Sequence, residues 1–290
     1  NCAGNGAGGK NDSRVSVSIE SGREDAMAYC DLCGQSVATV SSSRLNRFFG
    51  AGTADAIRQC PRCGLLFRAE LPDRKGGADC LEASGLRDGT HAAGEERLNT
   101  RMRRRLQYFT QRVQQGRNLG PPKVLDIGFG TGSFLKEAAS NGWRVVGTEA
   151  GALPEGAAIP GRTYQLDICS TPLPDDARGS FQLVHCNHVL EHVASPRALL
   201  EAAHSYLAAG GYLCLEVPNE VRSLASCIKR ALGRPYGAAT AYFAHRFFFT
   251  RTLLVRIVSQ AGFRVLHSAT PAMELDLPLW HRTFDRVQAT

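Results

Sequence analysis

Long apolar runs are missing from this chain of 290 residues. A bilayer-spanning helix needs about 20 consecutive apolar residues, so no membrane protein is implied. No charged n-region followed by an apolar h-region opens the sequence, which therefore carries no secretory signal pattern. Nor does it begin with Met, as expected of a fragment or a processed form. Large apolar groups are scarce over residues 1–25, where Asn-Gly and Gly-Gly pairs give the composition of a disordered tail with no chemistry of its own. An aromatic-and-basic motif of the kind that reads single-stranded RNA is also lacking.

What is present supports one sizeable core plus a small accessory module, since 43% of the residues are hydrophobic. Ten cysteines raise the question of a secreted disulfide framework. Cys169, Cys186 and Cys214 sit inside apolar, core-like runs, however, which points to a reducing, cytoplasmic setting. Four others form a pattern. Cys30-Asp-Leu-Cys33-Gly34 is followed by Cys60-Pro-Arg-Cys63-Gly64, two C-x-x-C knuckles each closed by glycine, which read as a zinc ribbon over residues 26–70. Each knuckle aims two thiolates at one ion, and four sulfurs close a tetrahedral shell with no open position, so the zinc is expected to be structural. A redox role for C-x-x-C is the competing reading, disfavoured by the matched pair.

The chain is organised around residues 123–134. Val124, Leu125 and Ile127 read as a buried parallel strand. Gly128, Gly130 and Gly132 then permit positive φ and close backbone approach of a ligand, before a helix over 131–140 whose first N–H groups point at that ligand. The spacing is G-x-G-x-G with Asp126 two residues ahead, unlike the G-x-G-x-x-G of dinucleotide-binding turns, because Ser133 takes the sixth position. This D-I-G-F-G-T-G stretch resembles the first motif of the class I S-adenosylmethionine-dependent methyltransferases, which implies that Asp126, Gly128, Gly130 and Gly132 face the cofactor. The resemblance implies an α/β fold, a doubly wound, Rossmann-like and mostly parallel sheet, with the small zinc ribbon ahead of it. The ribbon itself, with C-P-R-C-G-L-L-F, resembles the zinc-binding segment ahead of some methyltransferases, including sugar C-methyltransferases, whose further C-terminal domain has no counterpart here.

The remaining elements follow in order. Residues 71–94 read as a linker and 95–118 as an amphipathic helix, with Leu98, Met102, Leu106, Phe109 and Val113 on one stripe. Its other faces carry Arg97, Arg101, Arg103, Arg104 and Arg105, a solvated basic face or, on a chain of net charge +7 and pI about 9.0, a phosphate-binding one. The methyltransferase part occupies 119–290. A second strand over 143–148 ends at Glu149, placed to accept hydrogen bonds from both ribose hydroxyls of an adenosine cofactor. A third over 163–166 leads to Asp167 and Ile168, which by resemblance meet the adenine amino group and ring; by residue type alone Asp167 is equally a turn former. A fourth, 181–186, runs into Asn187-His-Val-Leu-Glu-His-Val193, whose V-L-E-H-V matches the family and implies Asn187 and His188 in the cofactor site. His188-x-x-Glu191-His192 also satisfies a metallopeptidase zinc pattern, which would need a long helix and a third ligand.

A helix over 198–208 ends at Gly210-Gly211, and a fifth strand occupies 212–217. After an excursion at 219–249 come a helix over 251–261 capped by Thr250 and Gly262 and a sixth strand over 263–269. Residues 273–280 are the expected last strand, with Pro278 confining it to an edge. His192 and His245 are the expected catalytic bases, both on the strand-tip edge where doubly wound sheets bind ligands. Arg222, Lys229, Arg230, Arg234 and Arg246 point to an anionic acceptor such as a nucleotide-linked sugar, or equally form a solvated basic face; the expected methyl acceptor is an O, N or C nucleophile of a small molecule. The alternative partner is RNA, bound through the ribbon and the arginine helix.

Overall fold

The computed structural model describes residues 28–37, 57–68, 92–114, 120–151, 158–219, 231–232, 245–269 and 286–289. The expected tail, nearly all of the 71–94 linker, most of the 219–249 excursion and the 273–280 strand lie outside them.

A seven-stranded sheet forms the centre. Strand β5 (Lys123–Ile127) lies between β6 (Arg144–Glu149) and β8 (Phe181–Asn187); β7 (Arg162–Gln165) flanks β6, and β9 (Leu207–Glu216) flanks β8, all five parallel. Beyond β9, β12 (Arg286–Ala289) inserts antiparallel, with β11 (Phe263–His267) outside it. The chain winds outward from β5 through β7, then returns to β8 on β5's other side. That reversal opens a crevice at the carboxyl ends of β5 and β8, where open α/β sheets place their ligands.

Alternation along each strand builds two cores, one per face. Val124 joins Leu183 and Cys214 under α1 (Ala92–Gln114) and α2 (Ser133–Ser140), which contribute Met102, Leu106, Phe109, Phe134 and Leu135. The i, i+4, i+7 spacing of Met102, Leu106 and Phe109 is the apolar stripe of the sequence. Leu125, Ile127 and Val184 face the other way, onto α3 (Pro196–Tyr206) and α4 (Arg251–Gln260) through Leu199, Leu200, Leu253 and Ile257. Both helices start on side-chain caps. Ser195 Oγ accepts from Ala198 N–H, and Thr250 Oγ1 from Leu253 N–H, each such cap contributing about 1 kcal/mol.

The ribbon belongs to that second core. β1 (Ala28–Tyr29) pairs with β2 (Ser36–Val37), and β3 (Ile57–Gln59) with β4 (Leu66–Arg68). Cys30, Cys60, Leu65 and Phe67 share a buried cluster with Leu190, Phe247 and Leu253. β10 (Phe247–Phe248) adds to β4 rather than to the large sheet.

The structure adds a strand at 286–289 that no sequence pattern announces, inside the sheet between β9 and β11; the expected 273–280 strand lies outside the described residues. One expectation is corrected. β9 begins at Leu207 and not at Tyr212, so the helix before it stops at Tyr206. Gly210, at φ 73°, lies where the pairing with β8 shifts register between Leu207 and Tyr212; the glycine pair is a bulge within the strand instead of a helix terminator.

Because Val287 pairs with Leu213 on one side and Val265 on the other, proline there removes a ladder donor inside the sheet. Val287→Pro is expected to lose about 2 kcal/mol or more in urea denaturation; an unchanged midpoint would contradict the placement of β12.

Candidate active site

The turn after β5 carries the glycines at φ 71°, 53° and 75° for Gly128, Gly130 and Gly132, a left-handed region in which other residues are strained. Space matters as well. A Cβ on Gly128 would come within 2.4 Å of a Val189 methyl, so the turn after β5 and the turn after β8 rest directly on each other. Gly128 N–H donates to Thr148 carbonyl at 2.7 Å, tying the same turn to β6.

Glu149, at the end of β6, closes the cradle. Its carboxylate accepts from Gly130 N–H at 2.9 Å and from Gly151 N–H at 3.1 Å. Asp167 stands just beyond β7 with Oδ1 accepting from Cys169 N–H at 2.9 Å, a turn-forming bond, and Ile168 beside it is buried. Asn187 ends β8 with its side-chain oxygen buried and without a hydrogen-bond partner among the described residues. His188 follows at φ 55°, the one non-glycine residue in the left-handed region among those described. These side chains therefore collect along one edge, at the carboxyl ends of β5 to β8.

Asp126 lies elsewhere. It is 2% exposed, beneath the turn, with Oδ1 2.8 Å from His185 Nδ1, and Phe134 stacks on that imidazole at 3.7 Å. Burial pushes the Asp126 carboxyl above its ordinary range, and His185 partly offsets the shift.

Beyond Asn187, residues 188–192 form turns, not a helix, so the long helix that a peptidase zinc motif requires is absent from this stretch. Instead the turn gathers a cluster. His192 and His245 meet edge to face at 4.7 Å between ring centres, and Glu191 Oε1 lies 3.8 Å from His192 Nε2 and 3.3 Å from His188 Nδ1. Glu191 is 1% exposed, and its Oε2 has no hydrogen-bond partner among the described residues. Ligand atoms of Glu191, His192 and His245 all fall within 4.8 Å of one another, a separation that also suits a divalent cation.

In the sequence Glu191 stands out only within the zinc pattern and not as a partner of His245, and Glu216 and His185 carry no motif signal there. Glu216 ends β9, pairs with Arg105 of α1 and lies 3.9 Å from His188 Nε2. Arg105, counted there on an exposed basic face, is buried by that pairing, and Arg103 pairs with Glu137.

At the ribbon, Cys30, Cys33, Cys60 and Cys63 converge. Sγ atoms of Cys30 and Cys63, and of Cys33 and Cys60, are 3.5 Å apart, and all four lie within 4.8 Å of one another. A tetrahedral zinc with bonds of about 2.3 Å requires sulfurs roughly 3.8 Å apart, so the donor set and its size fit zinc. Both knuckles repeat one pattern: Gly34 and Gly64 N–H groups donate to the carbonyls of Cys30 and Cys60 at 2.8 and 2.9 Å. A cavity of about 400 Å³ between the knuckles and α3 and α4, lined in part by Arg62, Arg197 and Arg256, shares no residue with the strand-tip set.

A family model described as a methyltransferase domain matches residues 95–268. The chain is 30% identical over 116 residues to a ubiquinone biosynthesis O-methyltransferase of Pseudomonas aeruginosa (strain UCBPP-PA14), a match covering 37% of this chain and 49% of that protein. It is 30% identical over 123 residues to the protein of the same name from Marinobacter nauticus, covering 40% and 50%. It thus spans about half the length of the curated relatives it matches. Among solved structures, the Haemonchus contortus phosphoethanolamine N-methyltransferase 2 in complex with S-adenosyl-L-methionine aligns with a TM-score of 0.44 and 16% identity, over 70% of this chain and 47% of that one.

The Asp126 shift has a testable sign. A carboxyl whose folded pKa is raised holds its proton in the native state over a range where the unfolded chain has released it. Its contribution to stability therefore declines as pH rises from about 4. Relative to Asp126→Asn, the unmodified protein should lose stability over that rise in urea denaturation; parallel curves would contradict the assignment.

Proposed function

The chain belongs to the methyltransferase-domain family; from that premise we propose that it is an S-adenosylmethionine-dependent methyltransferase acting on a hydroxyl of a small-molecule acceptor held beside Glu191, His192 and His245. One observation carries this reading. The turn whose Val189 rests on Gly128 also brings two histidines and a buried carboxylate together, so a base cluster adjoins the glycine turn.

On this reading Glu149, already an acceptor for two backbone N–H groups, takes the ribose hydroxyls, and Asp167 and Ile168 meet the adenine. The backbone of Gly128, Gly130 and Gly132, with Asn187 and His188, borders the amino-acid end. Asp126 acts from beneath by fixing His185 and the end of β5. When bound, the cofactor supplies an activated sulfonium methyl. The protein's own task is to align the acceptor oxygen with the methyl and sulfur, exclude water and remove one proton. His192 takes that proton as the C–O bond forms and the C–S bond breaks; Glu191 holds the resulting imidazolium, and His245 packs edge-on against the ring.

Oxygen is chosen over nitrogen or carbon because the relatives above are named O-methyltransferases. The ribbon's zinc is structural, with four sulfurs and no open position. No helix among the described residues is long and apolar enough to cross a membrane. No observation on those residues favours the RNA reading, since Arg105 and Arg103 of the basic helix are engaged with Glu216 and Glu137.

Release of S-adenosylhomocysteine from a panel of catechols, sugar nucleotides and short RNAs tests the assignment. Turnover is expected with a hydroxyl-bearing small molecule. His192→Ala should lower it about 100-fold or more with cofactor affinity intact, and His245→Ala should lower it as well. Full turnover in both variants would remove the histidines from the mechanism, and turnover with RNA alone would replace the acceptor class.

A further inference from the structure

We propose that the zinc ribbon is a working part of the acceptor site: its strand β4 positions His245 against His192, so filling the four-cysteine site sets the geometry of the histidine pair. The functional meaning rests on the acceptor-side reading of the two histidines; the structural claim does not.

His245 immediately precedes Arg246 and the two-residue strand β10, and that short segment is held from two sides. On one side is the ribbon. Phe247 and Phe248 pair with Phe67 and Leu66 of β4, and Arg68 N–H donates to Arg246 carbonyl at 2.9 Å. On the other side is the turn after β8. Arg246 and Phe247 N–H groups both donate to Glu191 carbonyl, at 2.8 and 3.1 Å. A clamp of this kind fixes the backbone next to His245 relative to both β4 and the residue preceding His192.

A two-residue strand cannot order itself, because fixing each backbone residue costs about 1–2 kcal/mol and an isolated ladder is marginal even when longer. β10 must borrow its order from β4. In turn, β4 starts from the second knuckle, where Gly64 N–H donates to Cys60 carbonyl and Cys60 N–H to Leu65 carbonyl, at 2.9 and 2.8 Å. Two further ties join the knuckles to the large domain. Arg197 N–H, in the first turn of α3, donates to Asp31 at 3.2 Å, and the Arg256 guanidinium of α4 donates to Cys63 carbonyl. A module this small has too little core to hold its shape without the metal.

The cofactor half is anchored differently. Gly128, Gly130 and Glu149 hang from β5 and β6, which the parallel sheet holds. Releasing the ribbon should therefore loosen the acceptor side and leave the cofactor cradle standing. A ribbon that only added general stability would affect both.

The test uses full-length protein with ¹³C-labelled histidine rings and reads the nuclear Overhauser contact between His192 and His245. His185, inside β8, serves as the internal control, and calorimetry with S-adenosylmethionine reads the cradle. Cys63→Ser removes a zinc ligand; Arg68→Pro keeps all four cysteines but removes the N–H that binds Arg246. In both variants the His192–His245 contact should vanish, the His185 signal should stay, and cofactor affinity should remain within about threefold of the unmodified protein. Zinc content should fall only in Cys63→Ser. Persistence of the contact in either folded variant overturns the proposal. Loss of the His185 signal together with cofactor binding in Arg68→Pro also overturns it, because the ribbon would then be a general stabiliser. If Cys63→Ser unfolds as a whole, Arg68→Pro decides by the same criteria. Failure of the methyltransfer reading shows instead as unaffected turnover in the histidine variants, whatever their ring contact.

Discussion

The hydrogen bond from Gly130 N–H to the Glu149 carboxylate joins the tips of β5 and β6 beside the crevice that opens between β5 and β8, where the sheet's winding reverses. It exists only because three glycines reach positive φ within five residues and so turn backbone N–H groups toward the crevice. A side chain on Gly128 would push against Val189, and displacing Val189 would displace the turn bearing Glu191 and His192. The proposed cofactor cradle and the proposed acceptor-side cluster are thus two ends of one packed contact. Changes at either end are expected to be felt at the other, since close-packed interiors transmit small shifts.

Much of this was legible in the sequence because it is local. A buried strand running into G-x-G-x-G, an acid at the tip of the next strand, and two C-x-x-C-G knuckles are each set by residues within a dozen positions. The parallel order then follows from alternating strands and helices. What the sequence concealed is long-range. Arg105 reads as one of five exposed arginines until Glu216 is placed opposite it, 111 positions away. Asp126 reads as a ligand-facing acid until His185 and Phe134 close over it. β12 escaped because residues 286–289 carry little apolar signal and their strand identity comes from two neighbours, β9 and β11. The pairing of β4 with β10, across almost the whole length of the domain, has no local signature at all.

Two kinds of anchoring meet in the site. The glycines, Glu149 and Asn187, proposed for the cofactor, hang from β5, β6 and β8, which have neighbours on both sides, a rigid platform suited to recognising a constant ligand. The residues proposed for the acceptor sit on a turn and beside a short strand paired with the ribbon, where variation is cheaper in a fold that hosts many substrates. His185 and Glu191 show how the buried polar groups are divided between the halves. The first pairs with Asp126 below the cradle, and the second keeps one carboxylate oxygen without a hydrogen-bond partner among the described residues beside the histidines.

The central claim is that the glycine turn and Glu149 form a cofactor site. Its most direct test is calorimetric titration of the full-length protein with S-adenosylmethionine, alongside Glu149→Ala. Removing a half-buried carboxylate proposed to accept from two ribose hydroxyls should weaken binding by about 2 kcal/mol or more, roughly 30-fold, in a variant that melts normally. Saturable binding in the unmodified protein with that loss in the variant is the predicted result; equal affinity in the two proteins, or no binding by either when well folded, would contradict it.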